Sequence, residues 1–395
     1  MGSYVTAVGL LFQGRSLDQH GPWDFHFGNE TSIVWNAVKG NMPAPGDLVA
    51  ARRTSAAVGA LTCVVLFMTV ARLTNVVGGA IAALFLAFHP LQIYLASLAV
   101  SDAVFTLFVA LATYTIVALA AKPSWLRAIT LGVVLGLGAS TKLSPLFVAA
   151  TLAALGPVIL ADGLIRRVPL AGSLWSRWSR VDHVPNRRLG WMLVSLPAVT
   201  FGTFVATYPY LWPDPIGRTQ LLLNFRQNEM DNQARIWTTS AIDSRLEALQ
   251  RTWQNLEHTY STTGRVFAAV GRIFDRDWSG FGIDLPLAIV GFVLLARLAL
   301  TRGLPSKHSL ALAVLGLQSA VILLKLRIDF NRYYVPLIFI CALGIGILVG
   351  QAWDVLLRAV IRRSSSVSPR LRQTLGTRPL RSPGTAHRQS TAADR

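Results

Sequence analysis

Charge is scarce in this chain, and acid is scarcest. Of 395 residues only 14% are charged, and 19 Asp and Glu stand against 37 Lys and Arg, for a formal net charge of +18. A soluble domain carries about 25% charged residues, so an ordinary soluble fold is excluded. Cysteine is nearly absent too. The two present, Cys63 and Cys341, lie inside apolar runs, where a thiol behaves as a small hydrophobe, so no redox compartment follows from them. The sequence has no cluster of metal-ligand residues, no P-loop, no dinucleotide-binding glycine motif and no internal repeat. It also lacks the basic segment and cleavable apolar core of a secretory signal.

What the chain does have is long stretches almost free of charge. With 52% hydrophobic residues and a mean hydropathy of +0.47, it reads as an all-α polytopic bundle with about nine spans. They cover roughly 54–71, 75–92, 100–121, 126–141, 145–162, 190–210, 281–299, 308–325 and 333–356. Gly and Ala crowd "NVVGGAIAALFLAF" and "LGVVLGLGAS", as expected where helices approach closely in lipid.

The basic residues set an orientation. Arg166, Arg167, Arg177, Arg180, Arg187 and Arg188 fall within 163–189, and a further series from Arg358 to Arg395 comes after the last run. By the positive-inside rule both segments are cytoplasmic, as are the turns holding Arg297, Arg302 and Lys307 and, more weakly, Lys122 and Arg127. Such placement points to membrane topology and anionic lipid rather than nucleic acid. The organisation expected is an extracytoplasmic remnant of a first loop (1–53), five spans (54–162), a basic cytoplasmic loop (163–189) and a sixth span (190–210). An extracytoplasmic helical loop region (211–280), three further spans (281–357) and a disordered basic cytoplasmic tail (358–395) complete it. Fifty extracytoplasmic residues with no preceding span lack an export route, which a missing upstream helix would supply. Within 211–280, Leu246, Leu249, Trp253 and Leu256 recur at helical spacing. They fit either a helix lying on the membrane surface or a small helical hairpin.

Ionisable residues beside apolar spans are costly and are therefore candidates for function. Asp102 opens the third span in "SLAVSDAVFTLF", where it serves as a base or acceptor-hydroxyl partner, or else Ser101 or Asp102 caps the helix. Lys142 lies in the helix break "GASTKLSPLF", with Ser144-Pro145 as the next cap and first turn. It is a phosphate ligand beside a helix N-terminus, or a snorkelling lysine. "KLRIDFNRYYVPL" gathers Arg327, Asp329, Arg332, Tyr333 and Tyr334. The planar fork of Arg332 suits phosphate, although Arg and Tyr are also ordinary interfacial anchors. His89 reads as a helix-end histidine.

In order along the chain, these segments resemble the C-type membrane glycosyltransferases, in particular the protein O-mannosyltransferase and aminoarabinose transferase branch. "AARRTSAAVGALT" is similar to the arginine-bearing start of the family's second span, and "SLAVSDAVFTLF" to its second acidic position. "GLGASTKLSPL" resembles its G-L-x-x-x-T-K break, "TYPYLWPDP" its N-P-Y segment and "NRYYVPLIFI" its R-Y-x-x-P start. After the family's Asp-Glu signature come, about three residues on, a Tyr and an apolar run ending in Gly. "GSYVTAVGLLFQG" resembles that Tyr-to-Gly segment, with Tyr4 and Gly14 in place, and "DQHGPW" resembles the His-Pro-Pro region through His20 and Pro22. The Asp-Glu pair itself falls at or before Met1, an absence that implies a broken catalyst as the sequence stands.

The resemblance implies sugar transfer from a polyprenyl-phosphate carrier to a lipid, glycan or protein acceptor on the extracytoplasmic face. Asp102 would be catalytic, and Lys142, Arg332, Tyr333, His20 and Tyr4 would bind substrate. It implies no cofactor with certainty, and a divalent metal is possible, since parts of the superfamily use one. The expected location is a bacterial inner membrane, N-terminus outside and C-terminus in the cytoplasm. The alternative is a transporter or lipid-binding membrane protein without transferase activity, which paired mid-membrane charges and related halves would favour.

Overall fold

The computed structural model describes residues 2–17, 30–161, 187–278 and 282–374. Every one of the nine apolar runs is helical. The helices are α1 (Gly2–Phe12), α2 (Glu30–Val38), α3 (Pro45–Leu73), α4 (Val76–Phe88), α5 (Pro90–Ala96), α6 (Ser101–Ala121), α7 (Trp125–Ala139) and α8 (Ser144–Leu160). They continue with α9 (Arg187–Val194), α10 (Leu196–Thr207), α11 (Pro215–Ile236), α12 (Arg245–Gln254), α13 (Thr262–Ile273), α14 (Asp284–Arg302), α15 (Lys307–Lys325) and α16 (Val335–Thr374). Among the described residues, β-structure is limited to an isolated bridge between Ala241 and Ile328.

Among the described residues, seven helical stretches are long and apolar enough to cross a membrane, α9 and α10 counting as one, and an eighth span is counted if α4 and α5, bent by 63°, are taken together. The bend falls at His89-Pro90, where proline removes a backbone donor and blocks the preceding turn. The ninth expected span, α7, has only 15 residues. The protein is thus an integral membrane protein of the expected all-helical class.

Polar caps set the helix starts. Asn75 accepts from Gly78 N–H at 2.9 Å and donates to Gly350 O at 2.8 Å, tying the start of α4 to α16. At α12, Ser244 accepts from Glu247 N–H while Glu247 reaches back to the N–H of Asp243, a reciprocal cap. The first part of α16 is the axis of the bundle. Every residue from Tyr334 to Ile347 is buried, as expected of a helix apolar on all sides. Close approach needs small residues: a Cβ on Gly291 of α14 would overlap the carbonyl of Gly344 in α16.

One sequence expectation changes. After 357 the chain does not turn to coil, because α16 continues through Arg358 to Thr374. Adding a residue to an existing helix needs no new nucleus; the remaining tail, 375–395, lies outside the described residues, as does most of the basic loop 163–189. In α12, Leu246, Leu249 and Trp253 are exposed, while Ala248, Thr252 and the following Leu256 are buried. The small side chains of α12 pack inward and its large apolar ones point out. The chain divides into two units, Met1–Gln351, which holds the bundle, and Ala352–Arg395.

Candidate active site

Three helix starts meet at one end of the bundle. Asp102 stands in the first turn of α6, Lys142 in the break between α7 and α8, and Arg332 and Tyr333 in the 3-10 turn Asn331–Tyr333 that leads into α16. The break places Lys142 by ordinary helix-end chemistry: its N–H and that of Thr141 both donate to Gly138 O at 2.9 Å. Asp102 does not cap α6. The N-cap position is Val100, with no side-chain cap, and the carboxylate turns instead to Lys142 Nζ at 2.5 Å. Nor does Ser144 cap α8, since it is the first helical residue and accepts a hydrogen bond from Gln318 at 3.3 Å.

Asp102 is only 4% exposed, so its charge depends on that ammonium. Lys142 also lies over two rings, 5.2 Å from the centroid of Phe105 and 5.3 Å from that of Tyr333. Arg332 lies 5.4 Å from the same Tyr333 ring and 5.3 Å from Phe330. Phe330 and Tyr333 stack with centroids 6.0 Å apart, and Trp237 meets Phe330 edge-on at 5.5 Å. The rings hold both cations by cation–π attraction. Arg332 has no carboxylate partner among the described residues. One carboxylate therefore faces two cations, and the cluster carries a net positive charge suited to an anion.

A second tier holds the turn in place. Asp329 accepts from Tyr334 Oη at 2.7 Å, Asn255 Nδ2 at 2.9 Å and Arg251 at 3.3 Å, and its own N–H donates to Ser240 O at 2.7 Å. Burial, then the hydrogen bond to Asp329 and that residue's negative charge, raise the Tyr334 phenol above its ordinary value of 10.0, so it remains a donor. The Asp329 partners at 240, 251 and 255 come from the 211–280 segment. Sequence reasoning singled out Asp329 and Tyr334 but missed Ser240, Arg251, Asn255, Trp237 and Met230, the last of which receives Tyr333 Oη at 3.6 Å. No local pattern marks such partners, because each pairing spans 70 residues or more.

Asp102, Lys142, Tyr333 and Arg332, singled out from three separate motifs, thus form one cluster. Tyr4 does not join it directly. It is 49% exposed on α1, although Gly2 at the start of that helix packs against Ser101, next to Asp102. His20 lies outside the described residues. Among those described, no group of three or more His, Cys, Asp or Glu could hold a metal ion.

Residues 26–205 match the family model of dolichyl-phosphate-mannose-protein mannosyltransferases. The resemblance to the C-type membrane glycosyltransferases stands. The mannosyltransferase-like stretch contains Asp102 and Lys142, while Tyr333 and Arg332 lie beyond it. Comparison with curated proteins gave no match. Among solved structures, the Archaeoglobus fulgidus archaeal oligosaccharyltransferase AglB, in complex with an inhibitory peptide and a dolichol-phosphate, aligns at 12% identity and a TM-score of 0.46. It covers 96% of this chain and 48% of its own. The apo form of the Archaeoglobus fulgidus oligosaccharyltransferase aligns at 12% identity and a TM-score of 0.45, over 92% of this chain and 48% of its own. The chain spans about half the length of these structures.

Proposed function

We propose that the protein is a membrane glycosyltransferase that takes a sugar from a polyprenyl-phosphate carrier and transfers it to a lipid, glycan or protein acceptor on the extracytoplasmic face. The observation that carries this reading is the convergence of Lys142 and Arg332 on the ring of Tyr333, beside a buried carboxylate. Two cations held in place without a full complement of acids suit a phosphate.

In the reaction an acceptor oxygen attacks the anomeric carbon, the bond from that carbon to the carrier's phosphate oxygen breaks, and the lipid phosphate leaves with the electron pair. Lys142 and Arg332 stabilise the negative charge that grows on the leaving phosphate. Asp102 uses one oxygen to fix the Lys142 ammonium and offers the other to the acceptor's hydroxyl proton. Tyr333 supplies the face on which both cations rest. For Tyr4 and His20, the support for substrate contacts is the motif resemblance. The basic segments support an orientation with this end of the bundle outside a bacterial inner membrane and the C-terminus in the cytoplasm.

Lys142→Ala and Arg332→Ala, in a chain that carries the family's Asp-Glu segment ahead of Tyr4, are each expected to lower sugar transfer from a polyprenyl-phosphate donor about 100-fold or more, a far larger loss than that in folded yield. Transfer at the parent rate in either variant would refute the assignment.

A further inference from the structure

α1 runs antiparallel to the beginning of α3. Along it, Gly9 packs on Thr54, Gln13 Nε2 donates to Ala50 O at 2.9 Å, and the Arg15 guanidinium lies against Gly46. Its first residues meet Ser101 beside the Lys142 cluster, and its eleven residues carry the chain about 15 Å away from there. At that far end is a cavity of about 310 Å³, lined by Gln13, Arg15, Gly46, Val49, Ala50 and Arg53 among others.

Its charges are not balanced. The Nε of Arg15 is 3.7 Å from Asp47, too long for a hydrogen bond, and the paired N–H groups of its fork have no hydrogen-bond partner among the described residues. Arg53 makes no ion pair or hydrogen bond among the described residues. Among the described residues, two guanidinium groups thus line one cavity with a single carboxylate beside them, a local excess of positive charge that favours an anion. The Arg15 guanidinium lies where a Cβ on residue 46 would be, so any larger residue than Gly46 would displace it. One guanidinium fork uses up both oxygens of a planar carboxylate, whereas the free oxygens of a phosphate ester, two in a diester and three in a monoester, stand around a tetrahedral phosphorus and can face two forks from different sides. The volume lies at the small end of ligand pockets, and Val49 and Ala50 offer an apolar wall to whatever carries the phosphate.

We propose that this cavity is a second, separate phosphate-binding site, built by Arg15 and Arg53, for the head of a phosphate ester. The phosphate is either that of an anionic lipid or that of a soluble ester, and the chemistry of recognition is the same.

The test is thermal unfolding of the purified full chain. One arm titrates glycerol 3-phosphate into protein in neutral detergent. The other compares nanodiscs of phosphatidylcholine with nanodiscs containing phosphatidylglycerol. Both arms use the parent, Lys142→Ala, Arg53→Gln and the charge-preserving Arg53→Lys. A saturable rise of the midpoint is expected in at least one arm, retained in Lys142→Ala. In Arg53→Gln half-saturation should need about tenfold more ligand, and in Arg53→Lys a smaller increase, since lysine keeps the charge without the fork. A response to the soluble ester identifies a soluble ligand, and a response confined to phosphatidylglycerol identifies a lipid. No response in either arm, or one lost in Lys142→Ala and kept in both Arg53 variants, would overturn the proposal. Loss of transfer activity has no bearing on it, so the two sites are tested separately.

Discussion

Lys142 and Arg332 meet through a single ring: Tyr333 lies 5.3 Å from the ammonium of one and 5.4 Å from the guanidinium of the other. Residues 190 positions apart in sequence are thereby held against one ring, and the carboxylate of Asp102 restrains only the lysine.

Removing that carboxylate leaves a partly buried ammonium without a counter-charge. Breaking a fully buried pair costs about 3–5 kcal/mol, but the Lys142 side chain is 28% exposed and partly solvated. Asp102→Ala is therefore expected to lose about 1–3 kcal/mol of stability, while Asp102→Ala combined with Lys142→Met recovers part of it. Denaturant unfolding of the single and double variants measures both. A double variant no more stable than the single one would show that the pairing is not what the cost reports.

The turn that presents Arg332 hangs on Asp329. Tyr334→Phe removes one hydrogen bond to a charged acceptor that keeps Asn255 and Arg251, so a loss of about 1–2 kcal/mol is expected. Asp329→Ala strands the buried Tyr334 hydroxyl and releases Arg251 and Asn255 together, keeping only the backbone bond to Ser240, and should cost more than Tyr334→Phe. Cleavage of the 211–280 segment by added protease should also quicken in Asp329→Ala, because that residue ties the segment to the bundle. Equal protease sensitivity in the parent and Asp329→Ala would contradict this.

Stability should also depend on pH through Glu257. It is buried in the π-helical turn Asn255–Thr259, where Oε2 accepts from Leu285 N–H at 2.9 Å and Oε1 finds no partner. Burial first, and the charge of Asp284 second, push its carboxyl above the ordinary 4.5. A carboxyl raised by folding favours the protonated folded state. Its contribution is therefore best below 4.5 and is lost as pH rises through the folded value. Glu257→Gln should flatten the fall in unfolding midpoint between acidic and neutral pH and raise the midpoint at neutral pH. An unchanged pH profile would contradict it.

Much of the fold could be read from sequence because length and apolarity are local signals. Each of the nine runs forms helix where expected, and even the break at His89-Pro90 is local chemistry. Asp102, Lys142, Arg332 and Tyr333 could be singled out because a charge or tyrosine beside a span is conspicuous in a chain with so few charges. Their meeting could not be read, since it depends on how α6, α8 and α16 pack. The role of Asp102 shows the limit: cap and counter-ion have the same sequence, and only the 2.5 Å approach of Lys142 separates them. The stripe of α12 is a local signal too: Leu246, Leu249 and Trp253 form an exposed apolar face, but that the smaller Ala248 and Thr252 pack inward could not be read from it.

The most direct test is the affinity of the full chain for a polyprenyl phosphate in nanodiscs, compared between the parent and Lys142→Ala and Arg332→Ala. Each substitution is expected to weaken binding about tenfold or more, since a charge-assisted hydrogen bond to phosphate contributes about 1.5–3 kcal/mol. Equal affinity in all three proteins would contradict the placement of the carrier phosphate between Lys142 and Arg332.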